Sequence, residues 1–353
     1  MKATRQMTIN TLRNTKKEES RPMMDENLKA PFPYFGGKSM VADLVWKYLG
    51  DVKQYIEPFF GSGAVLLKRP PTKLDKIYEI VNDKDGFIAN VWRSIIFSPD
   101  EVAKWCDWPV NHADLNARRK ALIANETRLI DGLQNDPDWH DPKMAGYWVW
   151  AASCWIGSGL TRPNAILSLS CDNGVQSQIP NLTRDRGVQS KIPYLDSRRK
   201  ILEAKTDVYA WMAALQARLR NVKVVCGDWT RVCGGNWQDN NKPVGMFFDP
   251  PYATQGRDES IYHHDSMTVG KEVEKWVLER GQNPNYRIVV AGYEDEYQSL
   301  IDSGWCVQEW SARGGYGNAG NGKGKENRHR ERLFISPHCL LQDKLVLFAG
   351  VEE

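Results

Sequence analysis

The chain of 353 residues has no C-x-x-C pair, no apolar run long enough to cross a membrane and no large excess of either charge. Its seven cysteines, Cys106, Cys154, Cys171, Cys226, Cys233, Cys306 and Cys339, are an odd and scattered set. They fit reduced thiols and argue against a disulfide scaffold or a zinc ribbon. The longest apolar stretch, Ala145 to Gly157, falls well short of the roughly 20 residues a spanning helix needs, so no membrane partner is expected. Residues 1–20 are basic and polar without the apolar centre of a secretory signal, which predicts a cytoplasmic location. With 41% hydrophobic and 26% charged residues the chain reads as globular. Its length fits two units, or one large α/β unit carrying an insertion. The adjacent His263 and His264 lack carboxylates at metal-ligand spacing, so no metal centre is expected and a surface or DNA-facing position suits them better.

The net charge is only +3, but it is unevenly spread. Residues 1–22, 184–200 and 313–332 each hold six Lys/Arg against two acidic residues, a local +4, so the remainder of the chain carries −9. Positive charge is thus concentrated in three stretches on an acidic remainder, and solvated, flexible segments are the alternative to a role in binding.

Hydrophobic periodicity predicts an alternation of strands and helices. Val41, Leu44, Val45, Tyr48 and Leu49 share a helical face that Gly50 closes; a strand over 54–56, a glycine turn and a helix over 64–67 follow. A strand over 76–81 and a helix face of Phe87, Ile88, Val91, Trp92 and Ile95 come next. From about Ser98 to Leu219 the alternation stops. It resumes with strands over 222–226 and 244–248, a helix over 268–280, a strand over 287–291, a helix over 294–302, and strands over 306–310 and 332–336. The expected fold is α/β, a doubly wound, Rossmann-like sheet with an inserted, mainly helical domain. Its parts are a flexible basic extension over 1–30, a split sheet domain over 31–97 and 220–353, and the insertion over 98–219. Within the insertion Gly174 to Leu182 recurs thirteen positions later as Gly187 to Leu195, too few copies for a solenoid.

The sharpest chemical signal is Asp249-Pro250-Pro251-Tyr252, placed directly after the apolar strand Val244 to Phe248. Ligands in open α/β sheets bind beyond the carboxyl ends of the strands. An exocyclic amino group on a nucleobase is a poor nucleophile because its lone pair is delocalised into the ring. Two acceptors on its N–H bonds, the Asp249 carboxylate and a main-chain carbonyl of the proline pair, would weaken that conjugation. The prolines stiffen the turn, and Tyr252 offers a face for a base to stack on. A plain strand-ending turn is the alternative.

The turn Phe59-x-Gly61-x-Gly63 lets backbone approach a ligand closely. A dinucleotide fingerprint would need a third glycine where the chain has Leu66, which disfavours NAD and FAD. Asp83, twenty-two residues after Gly61, stands where a carboxylate receives ribose hydroxyls, unless it merely caps the next helix. Adenosine without a pyrophosphate describes S-adenosylmethionine. Gly36-Gly37-Lys38-Ser39 is no phosphate loop, since Phe32 occupies the first glycine position; Lys38 is available instead for the cofactor's carboxylate. None of the cysteines follows a proline, as methylation of cytosine carbon requires.

In order, Tyr34-Phe35-Gly36-Gly37-Lys38, Glu57 to Gly63, Asn82-Asp83 and Asp249 to Tyr252 resemble the motifs of the Dam-type (alpha-class) DNA adenine-N6 methyltransferases, over about residues 31–337. The resemblance implies a methyltransferase sheet, S-adenosylmethionine as cofactor, double-stranded DNA as partner, and a target-recognition domain inserted between Asp83 and Asp249. It assigns Tyr34, Lys38, Glu57, Phe59, Gly61, Gly63 and Asp83 to the cofactor, with Asp228 and Trp229 lining its adenine. Asp249, Pro250 and Tyr252 would hold a flipped target adenine. The 262–265 loop and the ending Arg330 to Pro337 also look like family elements. Candidates for DNA contact are Arg184, Arg186, Lys191, Arg198, Arg199, Tyr262 and His263. Transfer to RNA adenine or cytosine N4, and a catalytically inactive DNA-binding relative, remain as alternatives. The extension, the repeat and the glycine-rich 313–325 loop lengthen this chain beyond the family's compact members.

Overall fold

A computed structural model of the protein describes residues 28–34, 38–155, 159–161, 188, 207–234, 241–251, 268–310 and 331–340. The basic extension up to residue 27, the near-repeat apart from Val188 and the glycine-rich loop lie outside them.

Helix α1 (Ala42–Leu49) buries Ala42, Val45, Trp46, Tyr48 and Leu49 on one stripe, and Gly50, at φ 63°, ends it by returning its N–H to the Trp46 carbonyl. Strand β1 (Gln54–Glu57), the short helix α2 (Ala64–Leu67) and strand β2 (Tyr78–Asp83) follow. Asp85 caps α3 (Gly86–Phe97), accepting from the N–H groups of Phe87 and Ile88. Between 98 and 219 the described elements are all helices: α4 (Pro99–Cys106), α5 (His112–Asn135), α6 (Pro142–Cys154) and α7 (Val208–Leu219). Asn111, Asp141 and Asp207 cap α5, α6 and α7 through side-chain oxygens. Then come β3 (Val222–Cys226), α8 (Thr230–Cys233), β4 (Val244–Phe248), α9 (Val269–Gly281), β5 (Tyr286–Tyr293), α10 (Gln298–Asp302), β6 (Cys306–Glu309) and β7 (Glu331–Ile335).

The seven strands form one sheet in the order β3-β2-β1-β4-β5-β7-β6. The first five are parallel, and β7 runs antiparallel to both β5 and β6. Side-chain alternation divides the interior in two. Tyr55, Val81, Phe247, Val289 and Leu333 face a core shared with α1 and with the helices α3 to α7. Ile56, Ile80, Met246, Phe248, Val290 and Phe334 face the other side, against Val273 and Val277 of α9 and Leu300 of α10. Helices on both faces make the sheet doubly wound. The fully buried β4, Val-Gly-Met-Phe-Phe, has the composition of a central parallel strand.

A buried ion cluster ties the returning helix α7 to the sheet. Glu79 of β2 accepts from Arg69 Nη1 at 3.1 Å and from Arg218 Nη1 and Nη2 at 2.8 and 2.9 Å, while Arg218 Nη2 also donates to the Leu66 carbonyl. The Arg69 fork reaches the Val52 carbonyl as well.

Two expectations from periodicity are corrected. The strand expected over 76–81 is shifted to Tyr78–Asp83, because Asn82 and Asp83 continue the ladder opposite Val225 and Cys226. The helix expected over 294–302 is broken into a 3-10 turn at Glu294–Glu296 and α10, with the Tyr297 ring buried against Phe334 between them.

Candidate active site

Strands β1 to β3 advance in one direction across the sheet and β4 to β5 in the other, so the crevice of this topology opens between the carboxyl ends of β1 and β4. Ile56 pairs with Met246 there, which sets the turn after Glu57 beside Asp249. Phe59, in that turn, packs on Phe248 at the end of β4 and stacks on Trp229, beyond the end of β3, at a 6.4 Å centroid distance and 29° between planes. Three separate motifs of the sequence therefore meet at one edge of the sheet.

Gly61 and Gly63 adopt φ of 48° and 61°, the left-handed region that favours glycine. A Cβ on Gly61 would stand 2.5 Å from the Tyr34 ring, and one on Gly63 2.6 Å from the Phe60 ring. The bend is braced on both sides. The Gly61 N–H donates to Asp83 Oδ2 at 2.8 Å, and the Gly61 carbonyl accepts from the fully buried Trp92 Nε1 at 2.9 Å. Asp83 Oδ1 accepts from the Asp85 N–H, so Asp83 braces the loop and helix capping falls to Asp85. Asn82 Nδ2 spans two turns, donating to the carbonyls of Pro58 and Gly227.

Burial pushes the Asp83 carboxyl up to about 7, with the Asp85 charge adding to it and the N–H groups of Asp85 and Gly61 resisting. Glu57 is driven well above the usual carboxylate range by burial; Asp249 and Asp83 push the same way, and the Tyr55 hydroxyl, donating to Oε2 at 2.9 Å, resists.

Lys38, only 4% exposed, pairs with Asp249 Oδ1 at 3.0 Å and lies 4.0 Å from Glu331 Oε2. Its ammonium stands 6.0 Å from the Trp310 ring. The residue expected to meet the cofactor's carboxylate thus has an ion-pair partner in the Asp-Pro-Pro turn. Pro250 is buried and Asp249 half-buried. Trp229 is 3% exposed, and Asp228, exposed, accepts from the Thr230 N–H and hydroxyl.

Tyr34, Lys38, Glu57, Phe59, Gly61, Gly63, Asp83, Asp228, Trp229, Asp249 and Pro250 are thus all placed at or beside the carboxyl edge of β1 to β4. Tyr252, Tyr262, His263, Arg184, Arg186, Lys191, Arg198 and Arg199 lie outside the described residues. Trp92 and Glu331 belong with this group as well; Trp92 carries no motif of its own, and Glu331 falls in the Arg330 to Pro337 ending. The signal for Asn82 was a polar residue inside an apolar strand, and for Glu331 a carboxylate opening the last strand.

The edge fits an adenosine-bearing cofactor. Asp83 supplies a carboxylate for hydroxyl donors, the two glycines leave room for close backbone approach, and Phe59 and Trp229 supply aromatic faces. Among the described residues, the buried Asn82 Oδ1 and Trp229 Nε1, one acceptor and one donor at this edge, have no hydrogen-bond partner. Neither a protein-family model nor a curated protein sequence matches the chain. Among the described residues no cluster of His, Cys, Asp and Glu could hold a metal ion, and no helix is long and apolar enough to cross a membrane.

Proposed function

We propose that the protein is an S-adenosylmethionine-dependent DNA methyltransferase that modifies the N6 amino group of an adenine flipped out of the duplex. The observation that carries this reading is the placement of Asp249-Pro250, just beyond β4, beside the turn after β1 that holds Phe59 and Gly61, at the point where the strand order reverses. Phe59, Gly61, Gly63, Asp83, Asp228 and Trp229 would hold the cofactor, which supplies a methyl group already activated by a sulfonium. The β7 strand reversed between β5 and β6, together with Leu66 at the third glycine position, separates this sheet from the dinucleotide-binding arrangement.

Asp249 and a main-chain carbonyl of the proline pair accept the two N–H bonds of the target amino group. Withdrawing the lone pair from the ring and holding the nitrogen in line supply most of the rate, by positioning and by electrostatic stabilisation of the positive charge that develops on nitrogen. As the bond from nitrogen to the methyl carbon would form, the sulfonium S–C bond would break with S-adenosylhomocysteine as the leaving group, and the surplus N–H proton would leave by way of the Asp249 carboxylate. Flipping costs a few kcal/mol of stacking and pairing, which stacking on Tyr252 and contacts from the basic 184–200 stretch offset.

The test is transfer of labelled methyl from S-adenosylmethionine to duplex DNA and to RNA, followed by nucleoside analysis. N6-methyladenine in DNA is expected. Label confined to RNA or to cytosine N4 redirects the substrate. Cofactor binding without any label, or no cofactor binding, overturns the reading.

Asp83 gives the site a pH dependence. Its folded-state value near 7 lies above the unfolded value of about 3.9, so its contribution to stability is full below about pH 4 and is lost as pH rises through about 7. Ribose hydroxyls donate to the ionised form, so the cofactor reverses that trend. Its affinity, measured by calorimetry, is expected to rise as pH passes from about 6 to 8 and then level off. Asp83→Asn removes the dependence.

A further inference from the structure

We infer that Asn82 selects the base of the cofactor: its side-chain oxygen accepts a hydrogen bond from the 6-amino group of the cofactor's adenine and so disfavours a 6-oxo purine. This rests on the methyltransferase reading above. Asn82, at the end of β2, is only 1% exposed. Its amide nitrogen is engaged within the protein, donating to the carbonyls of Pro58 and Gly227, each at 3.0 Å. Two acceptors on that nitrogen fix which way round the amide sits, because the reversed amide would bring three oxygens together. Oδ1 is thereby left as an acceptor withdrawn from water that, among the described residues, has no hydrogen-bond partner.

Strand alternation sends Asn82 and Asp83 to opposite faces of the sheet. Asp83 braces Gly61 on the side of Trp92. Asn82 shares the face of Ile80, in the cluster that contains Trp229 and against which Phe59 packs. Phe59 follows Pro58, and Trp229 lies just beyond Gly227, so one amide ties together the two segments that carry the aromatic faces proposed for the base. The cofactor's donors are its ribose hydroxyls, its ammonium and the amino group of its adenine. Of these, the amino group belongs to the part that stacks. Asp228 is the rival acceptor, but it is exposed and already accepts from the Thr230 N–H and hydroxyl. A bond from the amino group to Asp228 replaces one from water and gains little, whereas a buried acceptor that lacks a donor gains the bond in full. Hypoxanthine carries an oxygen in place of the amino group and would set it against Oδ1.

The test uses the full-length protein and two ligands that differ only in the base, S-adenosylhomocysteine and its hypoxanthine analogue S-inosylhomocysteine, with dissociation constants from calorimetry. The wild type is expected to bind the adenine form roughly 10- to 100-fold more tightly. Asn82→Ser introduces a hydroxyl that can either accept or donate, and should reduce that preference to within about threefold. A merely structural residue would weaken both ligands alike and leave their ratio unchanged. A crystal of the wild type with S-adenosylhomocysteine should place the adenine amino nitrogen within about 3.2 Å of Asn82 Oδ1, a readout independent of how well the variant folds.

A wild type that binds the two ligands within about threefold of each other, an Asn82→Ser protein that keeps the wild-type ratio, or a complex in which Oδ1 meets water or another protein group would each overturn the inference and leave the methyltransferase reading standing. A wild type that binds neither ligand overturns both.

Discussion

Asp249→Ala is expected to lower methyl transfer by at least about 10³-fold while changing S-adenosylmethionine affinity only a few-fold. The carboxylate sits just beyond the end of β4, and the groups proposed to hold the cofactor lie at the ends of β1, β2 and β3 and in the turns that follow, so the two proposed functions are separable by position. Asp249→Asn should be nearly as damaging. Its amide keeps the shape but turns one acceptor into a donor aimed at another N–H. Both variants deprive Lys38 of its partner at 3.0 Å, and Glu331 at 4.0 Å remains to balance it. The stability loss should therefore lie near the lower end of the about 3–5 kcal/mol seen when a buried pair is broken. Single-turnover kinetics at saturating cofactor, set beside calorimetric cofactor binding, check both halves. An Asp249→Ala protein within tenfold of the wild-type rate would remove Asp249 from the chemistry.

The largest effect on folding is expected from Glu79→Ala. Glu79 accepts three hydrogen bonds from Arg69 and Arg218, and the three side chains are 3–8% exposed. Removing the carboxylate leaves two buried guanidinium groups whose remaining acceptors are the Val52 and Leu66 carbonyls and Asp51 at 3.8 Å. The expected loss is about 3–5 kcal/mol, a fall in melting temperature of roughly 5–15 °C. Glu79→Gln keeps the acceptor oxygen but not the charge and should fall between. Thermal unfolding by calorimetry checks both. Cofactor affinity below the transition should change little, because the cluster lies at the β1 and β2 ends opposite Glu57 and Asp83.

Much of the fold was legible because local chemistry decided it. Val244 to Phe248 is apolar throughout and ends at Asp-Pro, so the strand and its boundary coincide with the sequence signal. Gly50 and the α1 stripe mark a helix whose end needs a left-handed residue. The β2 boundary was misread for the opposite reason: Asn82 and Asp83 look like a turn, yet side-chain bonds to Pro58 and Gly227 and backbone pairing with β3 keep them in the strand. The break at Tyr297 was likewise hidden, since its cause is the packing of one ring against a strand more than thirty positions away.

The site divides in the same way. The glycine bend, Asp83 and the Asp-Pro-Pro turn announce themselves as motifs. The pairing of Lys38 with Asp249 spans more than two hundred residues and is fixed by the meeting of β1 and β4, which no local pattern encodes. Trp92 is read as one more apolar residue on a helix face, and its bond to the Gly61 carbonyl emerges only once α3 is laid on the sheet.

That bond, together with the one from the Gly61 N–H to Asp83, fixes both polar groups of a single residue by bonds within the protein itself. A loop so anchored is a finished mould. On the proposed methyltransferase reading a cofactor would have no disorder to remove there, so its association should be quick and its heat-capacity change small, and a slow rearrangement limiting turnover would lie on the side of the nucleic acid.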